Sequence, residues 1–202
     1  YKALVNQLRP GDMKYKDIGG RDAAGNFVKV PDGKITPDDQ VRTDVTNIPP
    51  FQGGVVLGGS FRNFDLSILF QGAAGAKQYI YTGEMGNIGN YLQYIHDNRC
   101  TVENPSSEHP RIANRGDQYY SFNNTYWLRD SDYIRLKNLE LGYTLPETLT
   151  SRAGLNNLRV YVNGLNIFTW DKMKIYDPET DNTNGQYYPQ SRILSGGVSV
   201  TF

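Results

Sequence analysis

Cysteine is almost missing from this chain: Cys100 stands alone among 202 residues, which excludes an internal disulfide framework. Long apolar runs are missing too. No stretch approaches the roughly 18 consecutive apolar residues of a spanning helix, so a helical membrane protein is excluded. Neither sign of charge dominates, because 21 Lys and Arg balance 21 Asp and Glu, and no global field points to nucleic acid. Histidine is scarce. His96 and His109 stand apart, with no second metal ligand at a useful spacing. There is no nucleophile elbow, phosphate-binding glycine loop or zinc motif. No catalytic residue, cofactor or metal is assigned, and an enzyme reading has no support. Asp177 and Glu179 are paired carboxylates on a polar loop with nothing nearby to desolvate them, which makes them a solvated turn rather than an acid–base pair.

What the chain does have is aromatic and glycine content, 12% and 21 residues respectively, together with period-two alternation. Hydrophobic residues make up only 38% of it, as expected where just one side of each strand meets an apolar phase. In the last segment Leu194, Gly196, Val198, Val200 and Phe202 share one face, and Ser195, Gly197, Ser199 and Thr201 the other. The stretch Asn157 to Trp170 alternates likewise, with Val160, Val162, Phe168 and Trp170 opposite Arg159, Tyr161 and Asn163. Phe51 to Phe61 and FDLSILFQG from Phe64 read as a hairpin turning at Arg62-Asn63. Tyr133 to Leu145 completes a set of about five strands.

The connections alternate in length. Counted from the end they are long (171 to 190), short (146 to 156), long (72 to 123), very short (62 to 63) and long again (up to 50). A transmembrane barrel sorts its loops in this way, with short periplasmic turns and long external loops. The expected fold is all-β: about five C-terminal strands of a large antiparallel transmembrane β-barrel with long extracellular loops. The boundaries are an extracellular loop region over 1–50, a hairpin over 51–73, a long extracellular loop over 74–123 with a few helical turns at GNYLQYIHDN, and the last three strands over 124–202. The alternative is a soluble secreted β-sandwich that binds carbohydrate through its aromatic loops.

Five blocks, in order, carry a family resemblance: PGDMKYKDIGG with DGKITPDD, then FDLSILFQGAAG, SDYIRLKNLELGYTLP, LRVYVNGLNIFTW, and YDPET with a closing VSVTF. They resemble the C-terminal part of SusC/RagA-type TonB-dependent outer-membrane transporters. The resemblance implies a barrel closed by a plug, active import of nutrients such as oligosaccharides or peptides, and a SusD-like surface lipoprotein as partner. It also implies TonB as the energy-coupling partner, acting through an N-terminal region. The implied localisation is the Gram-negative outer membrane. Tyr1, Lys2 and Ala3 carry no secretory signal, so the chain is expected to be a mature form or a fragment lacking the plug, and to pair with the remainder of the barrel.

Residue assignments follow. Asp65, Ser67, Gln71, Asn138, Glu140, Arg159, Tyr161 and Asn163 are expected to face the lumen. Phe168 and Trp170 are expected at the outer interface, where aromatic belts form. In the strand from Tyr133, Leu139, Leu141, Tyr143 and Leu145 share a face that strict alternation continues through Lys137 and Arg135. These two cations are therefore expected to meet outer-leaflet lipid and lipopolysaccharide phosphates. A bulge near Asn138 that swaps faces is the alternative. Val198, Val200 and Phe202 are expected to form the signal read by the barrel-assembly machinery. The acidic run from Asp32 to Asp39 resembles half of a calcium loop, but Val28 and Val30 cannot ligate and an insertion displaces Asp17. Tyr79, Tyr81, Tyr91, Tyr94, Tyr119, Tyr120, Tyr187 and Tyr188 could stack on sugars, meet a partner, or pack on one another.

Overall fold

Period-two patterning yields strands here, and their pairing makes one sheet. The structure is a computed structural model that describes residues 9–80, 93–111, 124–180, 188 and 190–202. The strands are β1 (Gly20–Arg21), β2 (Phe27–Val28), β3 (Phe51–Phe61), β4 (Phe64–Ala74), β5 (Lys77–Tyr79), β6 (Leu128–Asp130), β7 (Tyr133–Thr144), β8 (Asn157–Asp171) and β9 (Ile193–Thr201). Two short α-helices, α1 (Gln93–Asn98) and α2 (Glu147–Thr150), complete the elements used below. The chain divides into two units, Tyr1–Asp44 with Ile80–Leu128, and Val45–Tyr79 with Arg129–Phe202.

The second unit holds a five-stranded antiparallel sheet in the order β3-β4-β7-β8-β9. The expected hairpin is present with its turn at Arg62 and Asn63, and Arg62 adopts a φ of +54° in the left-handed region that such tight turns require. Hydrogen bonds lace the short-turn end. Asn63 donates through Nδ2 to the Thr144 carbonyl at 2.8 Å, and the Thr144 N–H returns to the Asn63 carbonyl at 2.8 Å. The Asn156 N–H donates to the Thr201 carbonyl. Strands of 9 to 15 residues are long enough to cross a bilayer, which takes roughly 9–11 tilted residues.

Directly paired residues share a face, so the register sorts every side chain. Phe64, Leu66, Ile68 and Phe70 stand with Tyr143, Leu141, Leu139 and Leu136, then with Val160, Val162 and Phe168, and with Val198 and Leu194. Asp65, Ser67 and Gln71 stand on the opposite face with Gly142, Glu140 and Arg135, then with Tyr161, Asn163 and Thr169. Among the described residues, nothing covers the apolar face. Val162 lies on β8 with a strand on each side and is still 59% exposed, so a missing neighbour in the sheet does not explain it. Among the described residues, the buried apolar side chains are Ala76, Ile80, Ile95, Trp127, Tyr133 and Met173, and none stands on the sheet's apolar face. A sandwich would bury that face under a second sheet; the five strands instead present it outward. The expected single-sheet architecture holds, and the soluble sandwich is set aside.

One strand changes phase. Between β4 and β7 the register slips between Leu69 and Phe70, leaving Lys137 as an extra residue on β7. On the other side Lys137 lies opposite two residues of β8, Asn166 and Ile167, and Asn166 has a φ of +48°. Arg135 therefore stands on the polar face with Gln71 and Thr169, not on the face of Leu139. This corrects the assignment of Arg135 and Lys137 to the lipid. Alternation fails as a rule wherever a bulge inserts one residue.

The first unit is ordered by local bonds. The β1–β2 ladder closes over a turn in which Asp22 accepts from the Ala24 and Asn26 amides. A 3-10 turn at Pro37–Asp39 carries a capping box with Thr36. The helical turns expected at GNYLQYIHDN are present as α1. Tyr94 and Tyr126 pack edge-on against His109, and Tyr126 against Trp127.

Candidate functional site: the polar face of the sheet

All eight residues expected in the lumen lie on the polar face, and Asp65, Gln71, Asn138, Glu140, Arg159 and Asn163 among them belong to two hydrogen-bonded clusters. The cluster nearer the short-turn end centres on Arg159 of β8. Its Nε donates to Asp65 Oδ1 at 3.0 Å, its Nη2 donates to Asp65 Oδ2, and Nη2 also donates to Glu140 Oε1 at 2.8 Å. Asn163 extends the cluster, donating through Nδ2 to Asn138 Oδ1 at 2.8 Å and to Glu140 Oε2 at 3.2 Å. The guanidinium also lies 5.1 Å from the Tyr161 ring centre. Two carboxylates share one cation, so this end of the face carries a net negative charge.

The second cluster lies nearer the long-loop end and is built around Arg135, whose exposure is 2%. Arg135 Nε donates to Thr169 Oγ1 at 2.8 Å, Nη1 to Glu179 Oε2 at 2.6 Å and Nη2 to Asp177 Oδ1 at 2.6 Å. Lys137 Nζ donates to both oxygens of Glu179, at 3.2 and 3.0 Å, and to Gln190 Oε1 at 3.3 Å. The reading of Asp177 and Glu179 as a solvated turn is thereby corrected. The connection after β8 folds back, and the guanidinium of β7 removes both carboxylates from bulk water. The signal was present in the sequence. Two cations out of phase in a strand require anions, and YDPET is an acidic segment able to supply them.

Outside the strands, Asp132 accepts from the Gly75 N–H at 2.7 Å and from Lys172 Nζ at 3.1 Å. Those contacts hold its carboxyl below the usual range and raise the Lys172 ammonium above its own. Asp39, taken as half of a calcium loop, accepts from the Ile18, Gly19 and Thr36 amides. Burial pushes its carboxyl up, but the three N–H donors outweigh that and leave it below the ordinary range. Asp17, expected to be displaced by an insertion, accepts from the Asp32 and Gly33 amides. Among the described residues, no group of three or more His, Cys, Asp or Glu is placed to hold a metal.

On the apolar face, Phe168 and Trp170 sit at the long-loop end of β8 with ring centres 4.5 Å apart. Val198 and Val200 are on the same face of β9, and the terminal Phe202 is 85% exposed. Of the loop tyrosines, Tyr94 packs on His109, Tyr79 is half-buried in β5 and Tyr188 is 94% exposed. Tyr81, Tyr91, Tyr119, Tyr120 and Tyr187 lie outside the described residues.

No protein-family model matches the chain. Two curated relatives do, the TonB-dependent receptors P26 and P3 of Formosa agariphila, each 30% identical, over 95% and 98% of this chain respectively. The chain spans 20% of the length of each. Among solved structures it is similar to the RagAB peptide transporter, with a TM-score of 0.67 at 28% identity, over 90% of this chain and 20% of that one. The open-open and closed-closed states of the RagAB peptide importer match alike, each with a TM-score of 0.66 at 28% identity. They cover 86% and 91% of this chain, and 19% and 20% of theirs.

Proposed function

We propose, from its kinship in sequence and fold to SusC/RagA-type TonB-dependent transporters, that this chain is a C-terminal part of the wall of an outer-membrane importer. The observation that carries the reading is the two-sidedness of the sheet. Its strands set an uncovered apolar face against a face of ion pairs and amides, the arrangement needed between lipid and a wet lumen. In this reading Asp65, Ser67, Gln71, Asn138, Glu140, Arg159, Tyr161 and Asn163 line the lumen, joined by Arg135 and Lys137. Phe168 and Trp170 lie in the outer interfacial belt. Val198, Val200 and Phe202 form the signal for barrel assembly.

The rest of the importer supplies the remaining strands, the plug and the region that TonB engages, and a SusD-like surface lipoprotein is the capture partner. The cargo is a peptide or an oligosaccharide, with the RagAB likeness favouring peptide. Equal likeness to open-open and closed-closed states supports a place in the barrel wall rather than in a moving lid.

The test has two parts. The complete protein is expected to require detergent for extraction and to show heat-modifiable gel mobility, and uptake by cells that carry it is expected to stop when TonB is removed. Aqueous solubility of the complete protein would overturn the reading, as would uptake that continues without TonB.

A further inference from the structure

We infer that Arg135 is a positioning residue that fixes the turn over 177–180, after β8, against the polar face, narrowing the proposed pathway at its outer end. The inference rests on the transporter reading for the pathway, and on local geometry alone for the pin.

The geometry is specific to one residue. The bulge at Lys137 turns Arg135 onto the polar face, and burial leaves its guanidinium dependent on protein partners. Two of those partners come from the connection, and they come from one turn. Asp177 Oδ1 takes both Arg135 Nη2 and the Glu179 N–H, at 2.6 and 3.0 Å, so the same carboxylate closes the turn and anchors it. Asp177 Oδ2 accepts from the Gln190 N–H at 3.2 Å, which ties the returning limb to the same point. Pro178 fixes the backbone between the two acids, and its carbonyl accepts from Gln78 Nε2 at 3.2 Å.

A loop free to leave the sheet would not place two carboxylates and a side-chain amide on the cations of β7, and a carbonyl on Gln78 of β5. With Arg135 removed, Asp177 and Glu179 lose their buried counter-charge and Lys137 holds only Glu179. The turn is then expected to open.

The experiment uses the complete importer in whole cells, with Cys100 replaced by Ser and T180C as the reporter, labelled by a membrane-impermeant maleimide. R135M is expected to speed labelling by about tenfold or more, since loss of a buried ion-pair partner favours local opening. R135K restores charge without the two-pronged geometry and is expected to fall between. R159M, altering the other cluster, is expected to leave the rate unchanged. The pair D177N/E179Q reaches the same release from the loop side, and serves if R135M fails to assemble. An R135M protein that keeps heat-modifiable mobility but labels at the parental rate would overturn the pin. Faster labelling seen only after cell lysis would instead overturn the extracellular placement, and leave the pin standing.

Discussion

Asp65 and Arg159 meet across a strand that separates them, because β7 offers no side chain at the crossing point. Gly142 pairs with both Asp65 and Tyr161, and a Cβ there would stand 2.3 Å from Arg159 Nη2 and 2.5 Å from Asp65 Oδ1. The expected outcome for G142A is a barrel that still assembles but is destabilised by about 1–3 kcal/mol, the usual cost of overpacking. Thermal loss of heat-modifiable mobility measures it. A G142A protein as stable as its parent would show that the ion pair has room to move aside.

Gly197 and Tyr161 make a second such fit. A Cβ at Gly197 would lie 2.5 Å from Tyr161 Cζ, so the ring lies flat on β9 where no side chain intervenes. G197A is expected to lift the ring and slow assembly. The double variant G197A/Y161A is expected to recover part of the loss. Pulse-chase measurement of barrel formation separates the two outcomes, and a double variant worse than G197A alone would contradict the fit.

The faces themselves can be tested with one charge. V162K places an ammonium on the apolar face in mid-strand, at an expected cost of about 2–4 kcal/mol if that face meets hydrocarbon. S195K, on the polar face of the neighbouring strand, is expected to cost less than about 1 kcal/mol. Folding equilibria in lipid vesicles give both numbers. Equal costs for the two substitutions would remove the assignment of the apolar face to lipid.

Most of the sheet could be read from period-two alternation, because one face carries apolar side chains and the other polar ones. The hairpin at Arg62-Asn63, the strands from Tyr133, Asn157 and Leu194, and all eight lumen-facing candidates follow from that single rule. The rule says nothing about long-range pairing of loops. Asp177 and Glu179 become partners of Arg135 through a separation that local pattern cannot measure, so they read as solvated. Arg135 and Lys137 differ for another reason: counting left both strict alternation and a bulge near Asn138 open, and the structure has the bulge, at Lys137. Cation placement and loop acidity, taken together, held the information that either alone lacked.

Acid is expected to loosen the first unit locally at Asp39. Its folded-state carboxyl titrates below the unfolded value of about 3.9, so its contribution is complete above that pH and is lost as pH falls through the lower, folded value. The Ile18 and Thr36 amides, which Asp39 accepts, are expected to lose exchange protection in that window, while D39A removes it at every pH. Hydrogen exchange reads both amides. The expected cost of D39A is about 0.5–2 kcal/mol, as for other lost caps.

The extra residue on β7 also sets a tolerance limit for this strand. Deleting Lys137 would restore plain alternation, with Asn138 followed directly by Leu136, and would keep Arg135 and Tyr133 on the polar face and Leu136 and Ile134 on the apolar one. Keeping Lys137 but flattening the bulge would act on side chains as a frameshift acts on codons, sending Arg135 and Tyr133 outward and bringing Leu136 and Ile134 inward. The strand is therefore expected to bear the loss of this one residue better than the loss of the kink that absorbs it.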